Sequence, residues 1–322
     1  MLLKIKWKFF DMKQIIAGTN DEGRRLDSFL LSCTGNFPKI LICKLIRKKK
    51  IKVNSKKTTH NYRLKKNDVV EIFFGGSLAD HKKEREIFLK SPLDLDVVYE
   101  DLNIIIVHKP CGLICHPDKT QRIDCLINRI KNYLYQKGEY DFSNENSFAP
   151  ALANRIDRNT EGLVIAAKNL PSLRVLNEKI KNREIKKYYK CLVKGKPNKS
   201  EDILIGFLKK DANTNTVSVT KKQVPESKLI KTKYKLIKCE NDISLLEIEL
   251  ITGRTHQIRA HLASIGLPII GDKKYGRFKN KAEHQKLVAY KIVFEFKSNA
   301  DILNYLNGKR FFIKNSELIK NV

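Results

Sequence analysis

Asn154-Arg155-Ile156-Asp157-Arg158-Asn159-Thr160-Glu161-Gly162-Leu163 is the stretch on which the fold assignment turns. Asp157 stands between two arginines, and the apolar run Leu163-Val164-Ile165-Ala166-Ala167 starts as soon as the polar loop ends at Gly162. Further along, Gly253-Arg254-Thr255-His256-Gln257-Ile258-Arg259-Ala260-His261 supplies two more arginines and two imidazoles. A carboxylate ringed by cations is stabilised in its charged form, the form in which an aspartate can act as a nucleophile. Taken alone, Asp157 reads equally well as a turn residue, because Asp-x-Asn-Thr-x-Gly is ordinary loop chemistry.

The 322 residues are enough for two domains, and a hydrophobic fraction of 42% is enough for a buried core. A formal net charge of +29 exceeds what solubility requires and points to a polyanionic partner, nucleic acid ahead of an anionic membrane. No apolar run approaches the roughly twenty residues of a membrane span. Lys4, Lys6 and Lys8 interrupt the start, so export is not expected, and a start at Met12 stays open. Seven cysteines without a repeated CxxC spacing fit free thiols in a reducing cytoplasm, where a monomer is expected.

No metal or cofactor is expected. Cys111, Cys115 and His116 could begin a metal site, but a second ligand pair at suitable spacing is missing. Counted as a calcium loop from Asp157, the twelfth position is Lys168, where a bidentate Glu is needed. His256 and His261 lack the HExxH pattern, and no serine sits in a nucleophile elbow.

From Lys39 to Lys66 there are twelve Lys or Arg and no Asp or Glu. Ile42, Leu45 and Ile46 share one helical face while Lys44 and Arg47 point elsewhere, so the cations, with Lys48 behind them, are presented to a phosphate backbone. A solvated charged face is the plainer reading of such a block. An earlier helix carries Leu26, Phe29 and Leu30, and short strands follow at residues 51–54 and 69–74. Gly75-Gly76-Ser77 and the polar residues after it read as a linker. Beyond it come strands at 97–101 and 104–107, a helix with Leu173, Leu176 and Ile180, and a strand at 245–250. A helix with Ile258, Leu262 and Ile265 then stops at Gly266. Irregular alternation of strands and helices predicts an α+β fold.

Two resemblances follow from these residues. Arg24-Arg25-Leu26-Asp27-Ser28-Phe29-Leu30, Leu45-Ile46-Arg47-Lys48, Ile51-Lys52-Val53-Asn54 and Leu64-Lys65-Lys66-Asn67-Asp68-Val69-Val70 resemble an S4 RNA-binding domain. The stretches around Asp157 and Arg259, with Lys109-Pro110-Cys111-Gly112, Lys187-Tyr188-Tyr189 and Gly271-Asp272, resemble the motifs of the RluA family of pseudouridine synthases. The pairing implies an N-terminal extension over 1–22, an S4-like domain over 23–74, a linker over 75–90 and a catalytic domain over 91–322. The catalytic domain would hold a mixed, largely antiparallel sheet with flanking helices. It also implies isomerisation of uridine in RNA, with large-subunit ribosomal RNA as the partner. Transfer RNA, or a non-catalytic role in RNA binding or ribosome assembly, are the alternatives. Asp157 would then be the nucleophile, Arg259 its cationic partner and Tyr189 a platform for the base, with Tyr188 able to exchange roles. Arg155 would fill the space that the flipped uridine leaves, or contact a phosphate. Lys109, His256 and Arg254 would meet RNA. Attack at C1′, attack at C6 and deprotonation at C2′ all remain open. Asn154 and Glu161 replace the His and Ser usual in the signature.

Overall fold

The computed structural model describes residues 12–34, 37–73, 86–143, 145, 147–211, 214, 216–276, 284–313 and 316. The N-terminal unit has a four-stranded antiparallel sheet and two helices. Its elements are β1 (Met12–Ile16), α1 (Leu26–Thr34), α2 (Lys39–Arg47), β2 (Ile51–Val53), β3 (Lys56–Lys57) and β4 (Val69–Phe73), with strand order β1-β4-β2-β3. Asn54 and Ser55 both take positive φ, the geometry of a tight two-residue hairpin between β2 and β3. Leu26, Phe29 and Leu30 of α1 pack with Ile42, Leu45 and Ile46 of α2 over Ile51, Val53, Val70 and Ile72. The apolar spacing of both helices therefore points inward as expected, and Lys44, Arg47 and Lys48 stay exposed.

The N-terminal boundary differs from the expectation. Residues 12–16, expected in an extension, instead form β1 and pair with β4 from Met12 with Phe73 to Ile16 with Val69. Five residues with one buried position are too short a signal to read as a strand. The expected linker also ends earlier. Ile87–Lys90 form a short 3-10 turn, and the side chain of Phe88 is buried in the second domain's core. Residues 1–11 and 74–85 lie outside the described residues.

The second unit is built on one eleven-stranded sheet. Its strands are β5 (Asp96–Glu100), β6 (Ile104–Lys109), β7 (Ala151–Leu152), β8 (Glu161–Ala167), β9 (Ile185–Lys194), β10 (Glu201–Asp211), β11 (Thr216–Thr220), β12 (Lys228–Glu240), β13 (Ile243–Leu250), β14 (Leu287–Phe294) and β15 (Arg310–Phe312). The order is β11-β10-β12-β13-β9-β14-β8-β6-β5, with β15 on β14 and β7 on β8. β8 and β14 run parallel and every other pairing is antiparallel.

Successive residues of β6 and β8 face two different cores. Ile105, Val107, Val164 and Ala166 pack with Leu126, Ile130 and Leu134 of α3 (Leu126–Gln136), while Ile104, Ile106, Leu163 and Ile165 pack with Leu176 of α4 (Leu170–Lys181) and with Leu303. Burial on both faces explains why these strands read as unbroken apolar runs. At α4, Asn169 accepts a hydrogen bond from the Ser172 amide and Pro171 sits in the first turn, as helix starts favour. α5 (Gln257–Ser264) lies against β10 to β12, with Ala260 packed on Leu208, Val217 and Ile230. Among the described residues no helix is long and apolar enough to cross a membrane.

The two units meet through polar contacts. Asn20 donates to Glu145 at 2.7 Å and accepts from the Leu170 amide at 3.1 Å. Arg24 donates to Ser147 at 2.7 Å, and the Ser147 hydroxyl donates to buried Asp21.

Candidate active site

Asp157 occupies the loop between β7 and β8, and neighbouring chain holds that loop from several sides. Asn154 imitates a strand residue: its side-chain carbonyl accepts from the Ile165 amide at 2.8 Å. The Asp157 carbonyl accepts from the Thr160 amide at 3.1 Å and closes a turn. Thr160 in turn accepts from Gln285 at 3.1 Å. The turn that residue type predicted does exist, and the carboxylate is left to other work.

Lys109 sits beneath this loop and is 0% exposed, so it does not present its charge to RNA as expected. Its ammonium donates to the carbonyls of Pro110, Leu113 and Arg158 at 2.8, 2.7 and 2.9 Å, tying the 110–113 segment to the loop of Asp157. Burial lowers its pKa to about 8, and nearby Cys115, Cys111 and Asp157 only partly offset that effect. Gly162 follows the loop with φ +143°, and a Cβ there would come within 2.5 Å of Ala289. Only glycine lets β8 approach β14 so closely.

The second stretch forms the opposite wall. Gln257 accepts from the Thr252 hydroxyl and the Arg254 amide, and donates to the Lys231 carbonyl and Thr232 hydroxyl, which fixes the start of α5 on β12. His261 bonds Thr232 at 3.0 Å, and burial lowers its pKa to about 4, so it is a neutral buried anchor. Arg259 then projects toward the loop. Its Nη1 donates to Asp157 Oδ2 at 2.9 Å, while Nε and Nη2 donate to Asp272 at 2.7 and 2.8 Å. Burial alone would lower the pKa of Arg259, but the two carboxylates outweigh it and raise it. Asp272 is 0% exposed; burial opposes its charge, and Arg259 with the amides of Lys274 and Tyr275 overcomes that cost and lowers its pKa. The guanidinium also lies 5.2 Å from the ring centre of Tyr275, whose hydroxyl bonds His256 Nδ1 at 2.9 Å. His256 holds a left-handed backbone at φ 52° and brings Nε2 to 4.0 Å from Asp157 Oδ2.

Asp157 and Arg259 open on a groove of about 750 Å³. Tyr189, Leu152, Ile156 and Leu287 supply apolar wall, while Arg155, Arg254 and His256 line it with charge and hydrogen-bonding groups. Tyr189 is 5% exposed, and burial together with the charge of Asp157 raises its pKa, so the phenol stays protonated. Strand alternation in β9 sends Tyr188 to the other face, where the Lys291 ammonium sits 3.9 Å from its ring. Lys187 also lines the groove, with its pKa lowered by burial. The structure thus gathers Asp157, Arg259, Tyr189, Arg155, Arg254 and His256 around one opening. Lys44, Arg47 and Lys48 stand apart on the N-terminal unit and do not line it.

The sequence pattern of the RNA pseudouridylate synthase family matches residues 103–264, which contain Asp157, Tyr189 and Arg259. The chain belongs to the RNA pseudouridylate synthase family. An uncharacterized RNA pseudouridine synthase of Mycoplasma capricolum is 37% identical over 96% of this chain and 99% of its own length. The ribosomal large subunit pseudouridine synthase D of Borreliella burgdorferi is 29% identical over 86% of this chain and 83% of its own. In fold, human RNA pseudouridylate synthase domain containing 4 aligns with a TM-score of 0.54 at 18% identity, covering 70% of this chain and 90% of that one. The mixed, largely antiparallel sheet of this pseudouridine synthase agrees with the α+β expectation.

Asp272 and Tyr275 do not stand out as site residues in the sequence. Gly271-Asp272 is among the stretches that carry the family resemblance, but that resemblance assigns Asp272 no role.

Proposed function

We propose that this RNA pseudouridine synthase uses Asp157 as its nucleophile, on a uridine turned out of large-subunit ribosomal RNA into the groove floored by Tyr189. The observation that carries the reading is the hydrogen-bonded chain from Asp272 through Arg259 to Asp157, which ends with a carboxylate at the mouth of a groove. A guanidinium donating to a carboxylate fixes the direction of its remaining lone pairs. The reaction breaks N1–C1′, turns the base and joins C5 to C1′. N1 gains a proton and C5 loses one, so atoms and charge balance without an oxidant or reductant. The Asp157 carboxylate serves attack at C1′, attack at C6 or deprotonation at C2′ alike.

Tyr189 gives the base a flat, protonated aromatic surface, and Arg155 at the rim enters the space left in the RNA or takes a phosphate. The ribosomal target is supported by the name of the Borreliella relative and by the basic N-terminal unit, read as an S4-like grip on folded RNA. The test is Asp157→Asn assayed on RNA carrying tritium at uridine C5. Tritium release falls by at least about a thousandfold while RNA affinity stays near that of the unaltered protein. Retained turnover removes Asp157 from its role.

A further inference from the structure

The Asp157–Arg259 pair is a partition as well as a wall. Behind it lies a second cavity of about 320 Å³ that shares Asp157, Arg158, His256 and Arg259 with the groove and adds Lys273 and Lys274. The two spaces differ in chemistry. The groove has aromatic and aliphatic walls that suit a base, whereas the residues lining the smaller cavity are all polar, charged or glycine.

The charge count sharpens the contrast. Two carboxylates, Asp157 and Asp272, share one guanidinium, so these three groups together carry one negative charge in excess. An RNA strand delivered to Asp157 brings further negative charge beside it, and like charges at short range repel strongly where water is scarce. Lys273 and Lys274 stand on the turn that follows Asp272. Their backbone is pinned: the amides of Lys274 and Tyr275 donate to Asp272 Oδ1 at 2.9 and 3.2 Å, and the Gly276 amide donates to the Asp272 carbonyl at 2.8 Å. The carboxylate that orients Arg259 also sets where both lysines leave the chain. On the other side of the cavity, the Arg158 carbonyl is held by Lys109 and by the Gly112 amide.

We infer that the cavity lined by Arg158, Lys273 and Lys274 seats a backbone phosphate adjacent to the target uridine, so that base and phosphate straddle the Asp157–Arg259 pair. The inference deepens the proposed function and rests on it. Lysine ammonium groups compensate the surplus negative charge and bind the phosphate as point charges.

The experiment compares the unaltered protein with the double variants Lys273→Ala/Lys274→Ala and Lys273→Arg/Lys274→Arg, using unmodified ribosomal RNA transcribed with uridine tritiated at C5. For the alanine variant, KM rises about tenfold or more with kcat within about twofold, and the slope of log kcat/KM against log salt becomes shallower by about one. The arginine variant keeps KM and the salt slope near those of the unaltered protein, because the charge is retained. An alanine variant with unchanged KM and salt slope overturns the inference, as does a fall in kcat alone. Failure of the unaltered protein to release tritium would instead remove the functional reading, and this inference with it.

Discussion

Arg259 divides three nitrogens between two carboxylates, two to Asp272 and one to Asp157. A guanidinium held by one carboxylate alone could rotate about its long side chain; the bidentate contact to a fully buried aspartate removes that freedom before substrate arrives. Asp272 is therefore a positioning residue that acts through Arg259. Asp272→Asn keeps the volume but turns one accepting oxygen into a donor facing a cation. It lowers kcat by at least about tenfold and destabilises the fold by about 3 kcal/mol, as breaking one side of a buried ion pair does. Tritium release and urea unfolding check the two effects. Residue type leaves Asp157 balanced between a turn and a site residue, and the second arginine-rich stretch with the family resemblance is what singles it out. Asp272 is harder to read, since its partner is thirteen positions away and the pair exists only once α5 and the following turn have folded. Lys109 departs from its expected role for the opposite reason. Lysine is rarely buried without a charged partner, and the three carbonyls that accept its protons converge only in the folded loop.

Among the elements, β6 is legible in the sequence as a strand and β8 as an apolar run, whereas β10 to β12 are not. The first pair is sealed on both faces and shows as apolar runs; the second is studded with lysine and leaves Ile203, Ile205 and Leu229 exposed, so neither alternation nor a run stands out. At the end of β8 where the loop of Asp157 enters it, a brace crosses three strands. His108 of β6 lies 2.9 Å from Asp96 of β5 and 2.9 Å from Glu161 of β8, and Glu161 also accepts from Ser316. Burial would lower the pKa of His108, but the two carboxylates outweigh it and raise it, which favours the imidazolium, the form that can donate to both. A raised folded value means the stabilisation is fully present below the unfolded value of about 6.5 and is lost as pH climbs through the folded one. His108→Gln removes this contribution. Urea midpoints across a pH series are expected to separate the variant from the unaltered protein most below about pH 6.5, with the gap closing at higher pH. A gap independent of pH would deny the brace its charge.

Over the whole molecule, a net charge of +29 is enough to draw in RNA, and its placement decides what the RNA meets. Lys44, Arg47 and Lys48 lie on the exposed side of α2 and just beyond it, outside the groove. Replacing all three with alanine weakens RNA binding and lowers the slope of log affinity against log salt by about one for each phosphate that is no longer neutralised. kcat at saturating RNA stays within about twofold, since none of the three lines the groove. Filter binding across a salt series and tritium release measure the two quantities, and an unchanged salt slope would show that this block neutralises no phosphate. The junction between the units gives that prediction a further edge. Asn20, Asp21 and Arg24 are fastened to Glu145, Ser147 and Leu170 by direct hydrogen bonds. On the proposed reading, a joint fastened in this way ties the basic helix to the opening at Asp157, and the protein would gauge RNA as a caliper does. Lengthening the helix between the gripped fold and the target uridine by a few base pairs is then expected to lower kcat/KM on a substrate whose sequence is untouched.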